Sequence, residues 1–267
     1  MSTRSIFLRS RFLPLVIRYR WLIYELVLRD LRLRYRGSII GFAWTMLNPL
    51  LFAAVYVLIF GVFLKVGLPH FALYLLAGLL PWNWFAGAVQ QGTTSIVDGR
   101  SYVGKTIFPT EVLVFVPMLS YAVNFFLSLP LVVVVMLLYH TPLNWTALAF
   151  LPLVALIQAV LTLAALFVFS TLNVFYRDFS QLVTYLILLL FYLIPIVYPA
   201  DRIPPPLHGP LLADPFAIVI VAYQDIFYYS RPPDLSALAL AAIAGTLFLA
   251  AAYALFDRYK EAMGEFV

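Results

Sequence analysis

Cysteine is absent from this 267-residue chain. That excludes a disulfide framework, thiolate nucleophiles and Cys-ligated metal. Charge is scarce. Asp, Glu, Lys and Arg make up 11% of the residues, against about 25% in a soluble globular domain. The 12 acids are scattered, and the three histidines, His70, His140 and His208, lie far apart. Neither set offers the spacing of a metal site, so no metal and no cofactor are expected in this chain. The first long apolar run begins near residue 39, behind nine arginines. No cleavable signal peptide is expected from that arrangement.

Hydrophobic residues, by contrast, reach 64%, and the mean hydropathy is +0.98. Too few polar side chains remain to cover a water-soluble globule, and a disordered chain is excluded by the same imbalance. Runs poor in charge lie at 39–64, 71–97, 112–139, 148–175, 182–198 and 235–256. At about 20 apolar residues per crossing, each reads as a transmembrane helix. The expected fold is therefore an all-α polytopic membrane protein with six transmembrane helices. Residues 1–38 form a cytoplasmic N-terminal segment, 39–256 the membrane domain and 257–267 a cytoplasmic tail. The connection 199–234 holds eight of the 18 prolines yet is strongly apolar between 211 and 229. It reads as a re-entrant pair of half-helices between spans five and six, or as a loop lying on the bilayer.

Lys and Arg set the orientation. With both termini in the cytoplasm, 14 of the 17 basic residues lie inside, and only Lys65, Arg202 and Arg231 lie outside. The net charge of +5 is thus a topology signal, and no nucleic-acid partner is implied. Residues 18–36 predict an amphipathic interface helix. Its apolar face carries Tyr24, Val27, Leu28, Leu31 and Tyr35, and its polar face Arg18, Glu25, Arg29, Arg32 and Arg36. Glu25–Arg29 and Asp30–Arg34 are i,i+4 pairs in the favourable order.

One motif misleads. Residues Gly99 to Thr106 satisfy the G-x-x-x-x-G-K-[ST] pattern of a phosphate-cradling loop. That loop needs a buried strand before it and a soluble sheet around it. A membrane run precedes this one, and no other soluble segment is long enough to build the sheet. The segment is expected to be a short cytoplasmic connection without nucleotide.

Four ordered motifs carry a resemblance. Tyr35-Arg36-Gly37-Ser38, continuing through Trp44-Thr45-Met46-Leu47-Asn48-Pro49, resembles the opening of ABC-2-type polysaccharide export permeases. These are the membrane subunits of ABC exporters for O-antigen, capsule and teichoic acid. Lys105-Thr106-Ile107-Phe108-Pro109 is similar to the element before that family's third span. Asn173-Val174-Phe175-Tyr176-Arg177-Asp178-Phe179 resembles its loop after span four, and Pro195-Ile196-Val197-Tyr198-Pro199 the end of span five. Asp214-Pro215 stands where the family usually has Asn-Pro. The O-antigen branch resembles the chain most.

The resemblance implies a homodimeric pore completed by two copies of a separate ATPase, which alone binds ATP and Mg. It implies export of an undecaprenyl-diphosphate-linked glycan across the bacterial inner (cytoplasmic) membrane, and an external gate at 199–234. The chain itself would be no enzyme. Docking of the ATPase is expected on Ser101, Tyr102, Lys105 and Phe108 and on Tyr176, Arg177 and Asp178. Two alternatives stay open: an ABC-2 permease for a drug or lipid, and a membrane transferase acting on a polyprenyl substrate. The transferase needs convergent acids, for which Asp98, Glu111 and Asp178 are the loop candidates.

For a glycan substrate, aromatic side chains offer apolar faces to sugar C–H groups. Trp44, Phe52, Tyr56 and Phe60 in span one, with Tyr185 and Tyr192 in span five, are the expected channel lining. Packing and lipid contact are the plainer roles for such rings. Arg32, Arg34 and Arg36 stand at the interface just before span one. Their planar forks suit bidentate contact with a diphosphate, although positive-inside anchoring alone also accounts for them.

Overall fold

The computed structural model describes residues 14–38, 40–65, 67–100 and 109–266, and among these every regular element is a helix. In chain order they are α1 (Arg20–Tyr35), α2 (Trp44–Tyr56) continued by a π-helical stretch Val57–Phe63, α3 (Phe71–Asp98) and α4 (Glu111–Leu138). Then follow α5 (Trp145–Leu148), α6 (Leu151–Phe175), α7 (Phe179–Leu193), α8 (Pro205–Leu212), α9 (Pro215–Phe227) and α10 (Leu235–Phe266).

Five stretches are long and apolar enough to cross a membrane: Trp44–Phe63, Phe71–Asp98, Glu111–Leu138, Trp145–Phe175 and Leu235–Gly264. The run at 182–198 behaves differently. Its helix, α7, has 15 residues, about 22 Å, short of the roughly 30 Å hydrocarbon core. The cause is Pro195. A residue before proline is pushed out of the helical region, and Ile194 sits at φ −77°, ψ 140°. The freed backbone is satisfied from neighbouring helices, as membrane depth requires. Gln224 Nε2 donates to the Pro195 carbonyl at 2.7 Å, and the Tyr74 hydroxyl lies 2.8 Å from the Tyr198 carbonyl.

Between α7 and α10 stand two short helices. Asp214 caps α9 by accepting from the Ala217 amide at 3.2 Å, and Pro215 opens the first turn, where its missing N–H is harmless. Much of α9 is buried, Tyr223 completely. The connection 199–234 thus holds the two helices α8 and α9.

The helix α3 is the centre of the bundle, packed against α4, α6, α7 and α9. Close packing on α4 depends on Gly87, where a Cβ would lie 2.1 Å from the Tyr121 ring. Small residues let membrane helices approach in this way.

The two ends of the bundle differ. At one end gather α1, the start of α4 and the end of α10, where Lys260 Nζ meets Glu111 Oε1 at 2.5 Å and Tyr259 packs on Phe175 with ring centroids 5.6 Å apart. At the other end, backbone carbonyls cross-link the turns. Tyr228 donates to Pro69 at 2.8 Å, and Asn144 to Ser230 at 2.9 Å.

Helix α1 packs on α4, and its inward side overlaps the predicted apolar face at Val27 and Leu31 but is turned partly away from it. Ile23 and Val27 are buried, and Asp30 and Arg34 partly so. Tyr24, expected on the apolar face, is exposed. The inward side can hold an acid and a base because the two neutralise each other there.

Candidate functional site: a polar cavity at the head of the first span

Arg34, in the last turn of α1, is held from three sides. Its guanidinium pairs with Asp30 Oδ2 at 2.9 Å and donates to Gln91 Oε1. It also lies over the Tyr121 ring, 4.0 Å from the centroid. Gln91 Nε2 in turn donates to Asp30 Oδ1 at 2.8 Å. The cluster therefore fastens α1 to α3 and α4 through a closed set of charge-assisted bonds and a cation–π contact.

Beside this cluster opens a cavity of about 650 Å³. Arg34 and Tyr121 form part of its wall, together with Trp44, Asn48 and Phe52 from α2. Asn83 and Trp84 from α3, and Asn124 and Ser128 from α4, complete the lining that matters here. Trp84 is fixed by donating Nε1–H to the Met118 carbonyl at 3.1 Å.

The structure brings three of the sequence-predicted residues together: Arg34, Trp44 and Phe52. Arg32 and Arg36 are exposed, outside this lining. The aromatic series of span one does not share one cavity. At about 100° per residue, Tyr56 is turned about 120° from Trp44 around the helix. Tyr56 packs on Phe191, with centroids 5.5 Å apart, and on Phe60 at 6.0 Å. Tyr192 stacks edge-on against the same Phe191 at 5.1 Å. Tyr185 and Tyr192 share the outward side of α7, where Tyr185 is 68% exposed.

Tyr176, Arg177 and Asp178 are exposed on the connection between α6 and α7. Ser101, Tyr102, Lys105 and Phe108 lie outside the described residues. Gly99, the first glycine of the misleading motif, follows α3 directly, and a Cβ there would lie 2.6 Å from Leu113 Cδ1. Close packing of α4 on the end of α3 thus already requires a glycine there. Of the acids a transferase would use, Glu111 is bonded by Lys260 at 2.5 Å and Asp98 by Thr94 at 2.7 Å.

Sequence reading did not place Asp30, Gln91, Tyr121, Asn48, Asn83 or Asn124 in this site. A signal existed for the asparagines: amides set inside apolar runs face protein or a water-filled cavity.

Residues 22–228 match the ABC-2 type transporter family. The O-antigen export system permease protein RfbA of Myxococcus xanthus is 38% identical over 249 residues, covering 92% of this chain and 95% of that protein. Two proteins of Klebsiella pneumoniae with the same name are 35% identical over 201 residues and 32% over 199, each covering 74% of this chain and 77% of the relative. With five helices long and apolar enough to cross a membrane among the described residues and a family match over most of its length, the chain is a multi-pass membrane protein that belongs to the ABC-2 type transporter family.

Proposed function

We propose that this chain is the permease subunit of an ABC exporter that carries a lipid-linked polysaccharide, such as an undecaprenyl-diphosphate-linked O-antigen, across the bacterial inner membrane. A separate ATPase binds ATP and Mg and drives the cycle. Two permease chains and two ATPases form the working unit, with the end that gathers α1, Tyr176–Asp178 and the close of α10 facing the cytoplasm.

The observation that carries this reading is the meeting of Arg34 and Trp44 on one cavity. An anionic lipid-linked diphosphate in the inner leaflet first meets Arg32 and Arg36, which are exposed, and then Arg34. To bind Arg34 it takes over bonds now accepted by Asp30 and Gln91. Phosphate is suited to that exchange, because it presents several charged acceptors to one planar fork. The glycan then passes the aromatic rings of Trp44, Phe52 and Tyr185, followed by the Tyr56, Phe60 and Tyr192 group. The names of the relatives, all O-antigen export permeases, support the same substrate class.

Replacing Arg34 and Arg36 with Lys keeps the positive-inside charge and removes the forks. The expected result is normal membrane insertion with export reduced by at least tenfold, consistent with roughly 1.5–3 kcal/mol per lost charged hydrogen bond. Undiminished export by the double variant would remove the bidentate role of these arginines.

A further inference from the structure

Asparagine is rare in this chain. There are five, and three of them, Asn48, Asn83 and Asn124, line the one cavity beside Arg34. They come from three different helices, α2, α3 and α4. Asn83 and Asn124 stand near the midpoints of 28-residue spans, where an amide without a purpose is disfavoured. The side chains of Asn48 and Asn83 make no hydrogen bond with any other described residue. Membrane-depth polar groups of this kind belong to a ligand path or to a packed polar network, and no network closes around these two.

The lining limits the ligand. Apart from Tyr121, Arg34 is the only ionisable group among the described lining residues, and it stands where α1 meets the cavity. An ion or proton carrier would need more charge than that. A hydrocarbon tail would leave the Asn48 and Asn83 amides desolvated without supplying them a hydrogen bond. Each amide presents donors and an acceptor together, a pairing that suits adjacent hydroxyls on a sugar ring. Trp44, Phe52 and Tyr121 add ring surface for the C–H faces of the same ring. The volume, about 650 Å³, falls within the roughly 300–1,000 Å³ of small-ligand sites.

We propose that this cavity is a carbohydrate subsite, in which Asn48, Asn83 and Asn124 hold the sugar attached directly to the diphosphate while Arg34 engages the phosphate. The inference rests on the lipid-linked substrate proposed above and deepens it. The permease reads the sugar at the lipid end of the chain, and the rest of the polymer follows without being read at this site.

The test uses the assembled transporter in lipid nanodiscs and measures Kd for defined probes. One probe is farnesyl diphosphate without sugar. The others are farnesyl diphosphate esterified to glucose, galactose or N-acetylglucosamine. At least one sugar-bearing probe binds about tenfold more tightly than the bare diphosphate, the effect of one or two neutral hydrogen bonds. Asn48→Leu and Asn83→Leu each erase that gain, so that bare and sugar-bearing probes bind alike when measured on the same variant. Arg34→Lys weakens the bare and sugar-bearing probes alike. Asn48 is exposed, so its variant carries the test if Asn83→Leu fails to assemble. Equal binding of bare and sugar-bearing probes, or a sugar gain that survives both Asn variants, overturns the subsite while leaving the diphosphate reading in place. Failure of every probe to bind overturns both.

Discussion

Lys260, near the end of the last helix, reaches Glu111 in the first turn of α4, with Nζ 2.5 Å from Oε1. The carboxylate is buried, and its second oxygen has no hydrogen-bond partner among the described residues. Glu111 stands three residues after the segment 101–108 that is proposed to meet the ATPase. The pair therefore ties the start of α4 to the C-terminal helix.

Breaking the pair from one side leaves Glu111 charged and unpaired. Lys260→Met should destabilise the protein by about 2 kcal/mol. Buried pairs lose roughly 3–5 when one partner is removed, and this figure is discounted because the Lys260 side chain is 33% exposed. Thermal unfolding in detergent measures the loss. Adding Glu111→Gln to the Lys260 variant should recover more than half of it. No recovery would mean that lysine packing, and not charge, supplies the stability.

Gly87→Ala should act at a distance from its own small size. The added methyl would fall on Tyr121, the ring under the Arg34 guanidinium. Overpacking of this kind costs about 1–3 kcal/mol. Tyr121 must move, and the hold on Arg34 loosens with it. A proteolysis site within α1 should be cut faster in this variant than in the parent protein. An equal cleavage rate would separate Tyr121 from the anchoring of α1.

Residues 99–106 should carry no nucleotide. Lys105→Ala is expected to leave ATP affinity of the assembled transporter unchanged. Photolabelling of this chain by an ATP analogue, abolished by Lys105→Ala, would reverse that conclusion.

Much of the architecture was legible because composition and charge spacing act over whole helices. The apolar run at 112–139 corresponds to α4, at Glu111–Leu138. The run at 182–198 was less legible, because a single proline ends its helix and hydropathy does not register one backbone angle. The inward side of α1 was hidden for another reason. Asp30 and Arg34 read as an i,i+4 pair on a solvated helix, and only the placement of Gln91 and Tyr121 makes that pair an internal joint. Trp44 and Phe52 were visible as aromatics of one helix. The asparagines that share their cavity come from three helices, and no one-dimensional pattern joins them.

The exposed connection Tyr176–Arg177–Asp178 and the segment 101–108 should be the coupling points for the ATPase. Single cysteines placed at Ser101, Tyr102, Tyr176 or Asp178 have no native thiol to compete with, since the chain has none. Each should crosslink to cysteines on the ATPase surface. Crosslinks found instead only at residues 199–234 would invert the orientation.

Transport of a lipid-linked glycan by the reconstituted transporter tests the central claim most directly. Inside-out proteoliposomes containing this chain and its ATPase are supplied with radiolabelled undecaprenyl-diphosphate glycan on the outer face, and glycan protected from external glycosidase is counted. The account predicts ATP-dependent protection that vanishes without the ATPase and falls at least tenfold with Arg34→Lys and Arg36→Lys together. Protection that requires neither ATP nor the ATPase, or none for the lipid-linked glycan while an unrelated amphipathic drug is transported, would contradict it.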